Sequence, residues 1–273
     1  GSRTKLSKRK LAQYLKNQDF KQIMEHGLRI ADRIGLAPEA DTFNPVIVDF
    51  YREVGYLPWA IDNYLALLGW SYDDKTEFFS RDELVRHFTL ERINSSPASF
   101  DPKKLWAVQD HYMSGLSTDE KLALMLPFLV KAKLVADPPT PGAVATVRKV
   151  IEASGDRLKV AGDILAYADF FLVDEPAVDE AAVKQRLEKP GTKPLLEAFA
   201  KAVAEVEPFE PAAIEAALKQ VVEAAGVKVG DLVHAVRVAV TGKTVGPGLY
   251  DCLAILGRER SLARIAQALP RCG

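Results

Sequence analysis

The chain has 273 residues, 48% hydrophobic and 27% charged, with two cysteines and a formal net charge of −1. That composition belongs to a folded protein of two or more domains and excludes wholesale disorder. No run of eighteen apolar residues predicts a membrane span, and no apolar segment follows the basic N-terminus as a secretory signal would require, so a reduced, cytoplasmic setting is expected.

The chain reads as mainly α-helical, multi-domain and all-α in class. Gly1-Ser2 is set aside as a cleavage scar. In residues 10–36, Leu11, Tyr14, Leu15, Ile23, Met24 and Ile34 recur at helical spacing, with a polar break near Asn17–Asp19. "NPVIVDFY" (44–51) is short and β-branched, and is the best strand candidate. Pro58 opens an apolar helix that Gly69 should stop. Ser80 with Glu83, and Ser117 with Glu120, are capping boxes that start helices. "DPPTPG" (137–142) is a loop. Two Ala-rich helices split at "EPFEP" (207–211). "KVGDLVHAVRVAVTG" (228–242) is one helix closed by Gly242. Ser261 should cap the last helix, "SLARIAQAL".

Charge is unevenly spread along this pattern. Residues 1–10 hold five basic residues and no acid, 114–182 hold seven basic against eleven acidic, and 183–273 hold thirteen basic against ten acidic. A near-neutral total therefore does not exclude a polyanionic partner, but binding one requires a local basic face.

Few motifs survive testing. His26, His87, His111 and His234 do not stand at metal-ligand spacing with one another or with a cysteine, so no metal site is expected. "TGKT" (241–244) imitates a P-loop, but Arg237 stands where the first glycine is required and the preceding segment is helical. No local nucleophile–base pair can be built. Trp59, Trp70 and Trp106 suit the core better than a base-stacking platform. Lys5-Leu6-Ser7-Lys8-Arg9 is a short basic loop of the kind that steadies a triphosphate transiently. It needs a nucleotide pocket that the rest of the chain does not supply.

The loop and two blocks C-terminal to it carry a family resemblance. "KLSKR" (5–9) is similar to the second signature of class I aminoacyl-tRNA synthetases, in the form used by glutamyl-tRNA synthetases. The block 51–113 resembles the same enzymes more specifically, through Gly-Tyr-Leu-Pro (55–58), Asn-Tyr-Leu (63–65), Leu-Gly-Trp (68–70) and Phe-Asp-x-x-Lys-Leu (100–105). The block 235–269 resembles the family's C-terminal anticodon-binding end. The first family signature, His-x-Gly-His, has no counterpart, since His26-Gly27 is followed by Leu28-Arg29. The chain thus looks like the part of a synthetase that begins at the second signature. A departure from the family is a mainly helical insert at about residues 10–43.

The resemblance implies a stem-contact domain over 3–113 and two helical anticodon-binding domains over 114–182 and 183–273. It implies glutamate tRNA as partner, and L-glutamate and ATP, with magnesium, as substrates of the full-length enzyme. This portion should be a monomer that contacts no membrane, binds no cofactor alone and is inactive alone. Lys8 would stabilise the triphosphate. Candidate tRNA contacts are Arg237, Lys243, Arg258, Arg260 and Arg264, with the Gly246-Pro247-Gly248 backbone able to approach a base closely. The alternative is a free-standing, catalytically inactive helical RNA-binding or structural protein derived from a synthetase tail.

Overall fold

The computed structural model describes residues 11–39, 43–94 and 99–273. The loop Lys5–Arg9 therefore lies outside the described residues. The fold is all-α, and among the described residues there is no strand, only an isolated bridge between Trp70 and Ile93. No helix among them is long and apolar enough to cross a membrane. The chain divides into two compact units, Gly1–Lys133 with Asp156–Leu165, and Leu134–Gly155 with Ala166–Gly273.

The first unit is built from α1 (Leu11–Tyr14), α2 (Gln18–Arg33), α3 (Val48–Val54), α4 (Pro58–Leu67), α5 (Arg81–His87), α6 (Pro102–Gly115) and α7 (Thr118–Lys131). The polar break foreseen near residue 17 is a cap: the Asn17 side chain accepts the amides of Asp19 and Phe20 and starts α2. Helix α4 begins with Pro58 at its first turn, and α5 and α7 carry the Ser80/Glu83 and Ser117/Glu120 capping boxes. These local signals decide where helices start because each satisfies amides the helix itself leaves open.

The segment 44–51 is not a strand. Asn44 Oδ1 accepts the Val46 amide, and α3 runs from Val48. Phe50, Tyr51 and Val54 then fall on one buried face. A lone β-branched run has no partner for its ladder groups, whereas a helix satisfies them internally.

The insert segment does not stand apart from this unit. Helix α2 packs on α3 and α6 and buries Phe20, Ile23 and Ile30. Gly27 lets α2 approach α3: a β-carbon there would lie 2.5 Å from the Phe50 ring. His26 Nε2 lies 2.6 Å from Asp163 Oδ1, and Asp163 Oδ2 accepts the amides of Lys159 and Val160. Gln109 is fully buried, accepting the Leu57 amide and donating to the Lys159 carbonyl. Residues 156–165 are thus sewn to α2, α6 and the start of α4. Trp70 is buried among Tyr72, Phe79 and Phe88, while Trp59 and Trp106 are half-buried.

The second unit contains α8 (Pro141–Ser154), most of α9 (Ile164–Leu172), α10 (Glu180–Arg186), α11 (Thr192–Ala204), α12 (Pro211–Ala225), α13 (Val229–Thr241), α14 (Leu249–Leu256) and α15 (Arg258–Ala268). Helices α11 and α12 pair closely, and α13 packs on α10, α11, α12 and α15 around Phe170, Phe199, Leu218, Val236 and Ile265. Gly242 ends α13 with φ +72, as its position suggested. Ser261 does not cap the last helix. Helix α15 starts at Arg258 after Gly257, whose φ is +80, and Ser261 is buried with its hydroxyl on the Leu253 carbonyl. The Ser261 box lacks an acid at its third position, where Arg264 stands, so glycine sets the boundary instead.

Candidate nucleic-acid interface

The candidate surface is the end of the second unit where α13 turns into α14. Thr241 Oγ1 donates to a carbonyl of its own turn, either Arg237 or Lys243, and accepts the Lys243 amide. Gly242 accepts the Asp179 amide through its carbonyl, and a β-carbon on Gly242 would collide with the Ala177 carbonyl oxygen. The turn is therefore laid directly against the 173–179 strap that follows α9. Past the turn, the Pro247 carbonyl accepts Nη1 of Arg237 at 2.8 Å, and a β-carbon on Gly246 would lie 3.4 Å from that nitrogen.

The five basic candidates divide sharply by environment. Arg264 is 4% exposed and donates to Val240, Phe170 and Val173 carbonyls at 2.7–2.8 Å. Burial, and next the neighbouring Arg260, pull its pKa down to about 10, so it still carries its charge near neutrality. Arg260 donates to the carbonyls of Phe171 and Val173. Two guanidiniums thus satisfy carbonyls that the end of α9 cannot pair within the helix. Arg258 donates to the Val206 carbonyl and pairs with Glu207. Lys243 Nζ lies 2.5 Å from Asp169 Oδ2, with side-chain exposures of 19% and 11%. Arg237 is half-buried beside the 246–248 backbone.

A cationic patch surrounds that last corner. The His234 imidazole is held below its usual pKa, first by partial burial and then by the charges of Arg186 and Arg237, opposed by Asp231 and aided least by Lys189. His234 and Lys189 are exposed. The patch joins the end of α10 to α13, and the sequence reasoning missed its Arg186, Lys189 and His234. Arg186 and Lys189 lie 51 and 48 residues before Arg237, where no periodicity links them, whereas His234, three residues before Arg237 on α13, was legible. Asp169 was missed too. Its signal was legible: an acid inside the apolar run "ILAYADFFL" needs a buried partner. Among the described residues no cluster of three or more His, Cys, Asp or Glu side chains could hold a metal ion.

Residues 120–269 match the family model described as "Anticodon binding domain". The chain belongs to the anticodon-binding domain family. Residues 41–107 match a second model, the catalytic domain of class I tRNA synthetases (E and Q). Among curated relatives of this chain, the glutamate–tRNA ligase of Roseiflexus castenholzii is 40% identical over 225 residues, spanning 82% of this chain and 44% of that protein. The glutamate–tRNA ligase of Moorella thermoacetica is 37% identical over 221 residues, spanning 81% and 45%. The chain therefore spans less than half the length of the curated relatives it matches. A crystal structure of a glutamate–tRNA ligase from Elizabethkingia meningosepticum, in complex with its amino acid, superposes with a TM-score of 0.69 at 26% identity, covering 82% of this chain and 43% of that one. The resemblance to glutamyl-tRNA synthetases read from residues 51–113 and 235–269 stands on these matches.

Proposed function

We propose that this chain is the tRNA-binding portion of a glutamate–tRNA ligase, working in the cytoplasm on glutamate tRNA. The observation that carries the reading is the anticodon-binding match over 120–269, which contains the Arg237 corner and all of its cationic patch. In this reading residues 3–113 touch the tRNA stem, and 114–182 and 183–273 hold the anticodon end. Arg237 and the 246–248 backbone read an unpaired base, while Arg186, Lys189 and His234 face phosphates. Splayed single-stranded bases are read by backbone and guanidinium contacts of this kind. Arg258, Arg260, Arg264 and Lys243 act on the protein rather than on RNA.

The full-length enzyme would activate L-glutamate with ATP and magnesium, and Lys8 would steady the triphosphate. This chain alone should form no glutamyl adenylate. The test of the reading is a fluorescence titration of the chain with glutamate tRNA and an anticodon-swapped tRNA at two salt concentrations. Affinity should fall with salt as counterions are released, and the cognate tRNA should bind tighter at both. Equal affinity for both tRNAs at every salt concentration overturns it.

A further inference from the structure

We propose that Lys243 is a positioning residue for anticodon recognition, acting through its ion pair with Asp169 and not through contact with RNA. The inference rests on the anticodon reading of the Arg237 corner.

The ammonium is spent on a carboxylate in the same unit. Lys243 Nζ lies 2.5 Å from Asp169 Oδ2, and both side chains are at least four-fifths buried. Nζ also stands over the Phe170 ring, 5.9 Å from its centroid. The other carboxylate oxygen, Asp169 Oδ1, accepts the Phe170 amide, which fixes the carboxylate on α9. A charge committed this way has little left for a phosphate.

The backbone around Lys243 shows what the pair holds. Its amide donates to the Thr241 hydroxyl, which in turn donates to either the Arg237 or the Lys243 carbonyl. Gly242, one residue earlier, accepts the Asp179 amide of the strap through its carbonyl and lies close against Ala177. Four residues later Pro247 presents the carbonyl that holds the Arg237 guanidinium. The pair therefore anchors the start of a loop whose far end sets the aim of Arg237. Without the anchor, the 243–246 stretch keeps its caps but loses this charged tie to α9, and the Pro247 carbonyl is no longer held in one place.

The experiment is a set of variants of the whole chain, Lys243→Met, Lys243→Arg, Asp169→Asn and the double Lys243→Met/Asp169→Asn. Each is titrated with cognate and anticodon-swapped tRNA across a salt series, with circular dichroism confirming the fold. Positioning predicts that Asp169→Asn lowers the cognate-to-swapped affinity ratio about as much as Lys243→Met does, roughly ten-fold each, within the range of measured pair couplings. It predicts that the double variant is no worse than either single one, that Lys243→Arg keeps the wild-type ratio, and that the salt slope is unchanged throughout. Direct phosphate contact predicts the reverse. Asp169→Asn would then release the ammonium and leave binding equal or tighter, while Lys243→Met would reduce the salt slope by about one ion. That outcome overturns the proposal. If Lys243→Met does not fold, Asp169→Asn and Lys243→Arg still separate the two cases. The wild-type ratio is read separately, so a chain that never discriminates anticodons sinks the anticodon reading, whereas a discriminating chain indifferent to Asp169→Asn sinks only the positioning role.

Discussion

Replacing Arg264 by methionine should unfold the second unit at markedly lower denaturant while leaving the first unit unchanged. The guanidinium makes three short hydrogen bonds, to Val240, Phe170 and Val173, and is 4% exposed. A hydrogen bond to a charged group contributes about 1.5–3 kcal/mol net. Three such bonds cannot simply be added, because burying the charge costs part of the gain, as the lowered pKa shows. Methionine keeps most of the stem's packing but strands carbonyls at the ends of α9 and α13. A buried acceptor left unsatisfied costs about 1–3 kcal/mol, and a total of about 2–5 kcal/mol is expected here. Urea unfolding followed by far-ultraviolet circular dichroism, with hydrogen exchange over 166–273, measures it. Trp59, Trp70 and Trp106 all lie in the first unit, so tryptophan fluorescence supplies the internal control. A loss below about 1 kcal/mol, with the amides near α9 exchanging as before, would refute the claim that Arg264 is a structural tie.

Alkaline pH should destabilise the first unit. Burial raises the pKa of Tyr51 and Tyr56 above the ordinary value of 10.0, and that of Tyr64 to about 12. Each raised phenol keeps its full stabilisation below pH 10 and loses it as pH climbs toward the folded value, so a tyrosinate absorbance titration should lag and then rise together with the loss of tryptophan signal. Phenols ionising near pH 10 in the folded chain would contradict this. Bound phosphate should raise the depressed pKa of His234, so tRNA affinity should increase as pH falls below about 6.5, and His234→Gln should abolish that dependence in the same titration. Gly27→Leu should cost about 1–3 kcal/mol by overpacking α2 against the wholly buried Phe50 ring, read by tryptophan fluorescence in urea. Ser117→Ala should cost about 1 kcal/mol through loss of the α7 cap, and an unchanged midpoint would show that the cap is redundant.

Much of this architecture is readable in the chain because its helix ends carry local chemistry. Ser80, Ser117, Pro58 and Gly242 each mark a boundary through groups within three residues. Residues 44–51 misled because Val, Ile and Phe suit a strand equally well, and only the burial of Phe50, Tyr51 and Val54 on one face decides for helix. The basic candidates show the deeper gap. Arginine count marks the C-terminal segment as basic, but an arginine free to meet a polyanion and one that ties carbonyls look alike in sequence. The distinction lies in partners 87 to 94 residues away, at Phe170, Phe171 and Val173. Long-range partners leave no periodicity to read.

The interleaving of the two units sets an order on synthesis. Residues 156–165 complete the first unit, supplying Asp163 to His26, the Lys159 carbonyl to Gln109 and Gly162 to the narrow gap beside Val54. They leave the ribosome only after residues 134–155, which belong to the other unit. A nascent chain halted at residue 133 therefore carries α1 to α7 and a seat with nothing in it. Gln109, whose side-chain carbonyl and amino group meet partners on opposite sides, would wait half-satisfied while the ribosome adds about thirty more residues, a matter of seconds at ordinary elongation rates. No single cut in the gene separates the units, and a shortened version ending before residue 165 would lack part of the core it was meant to isolate.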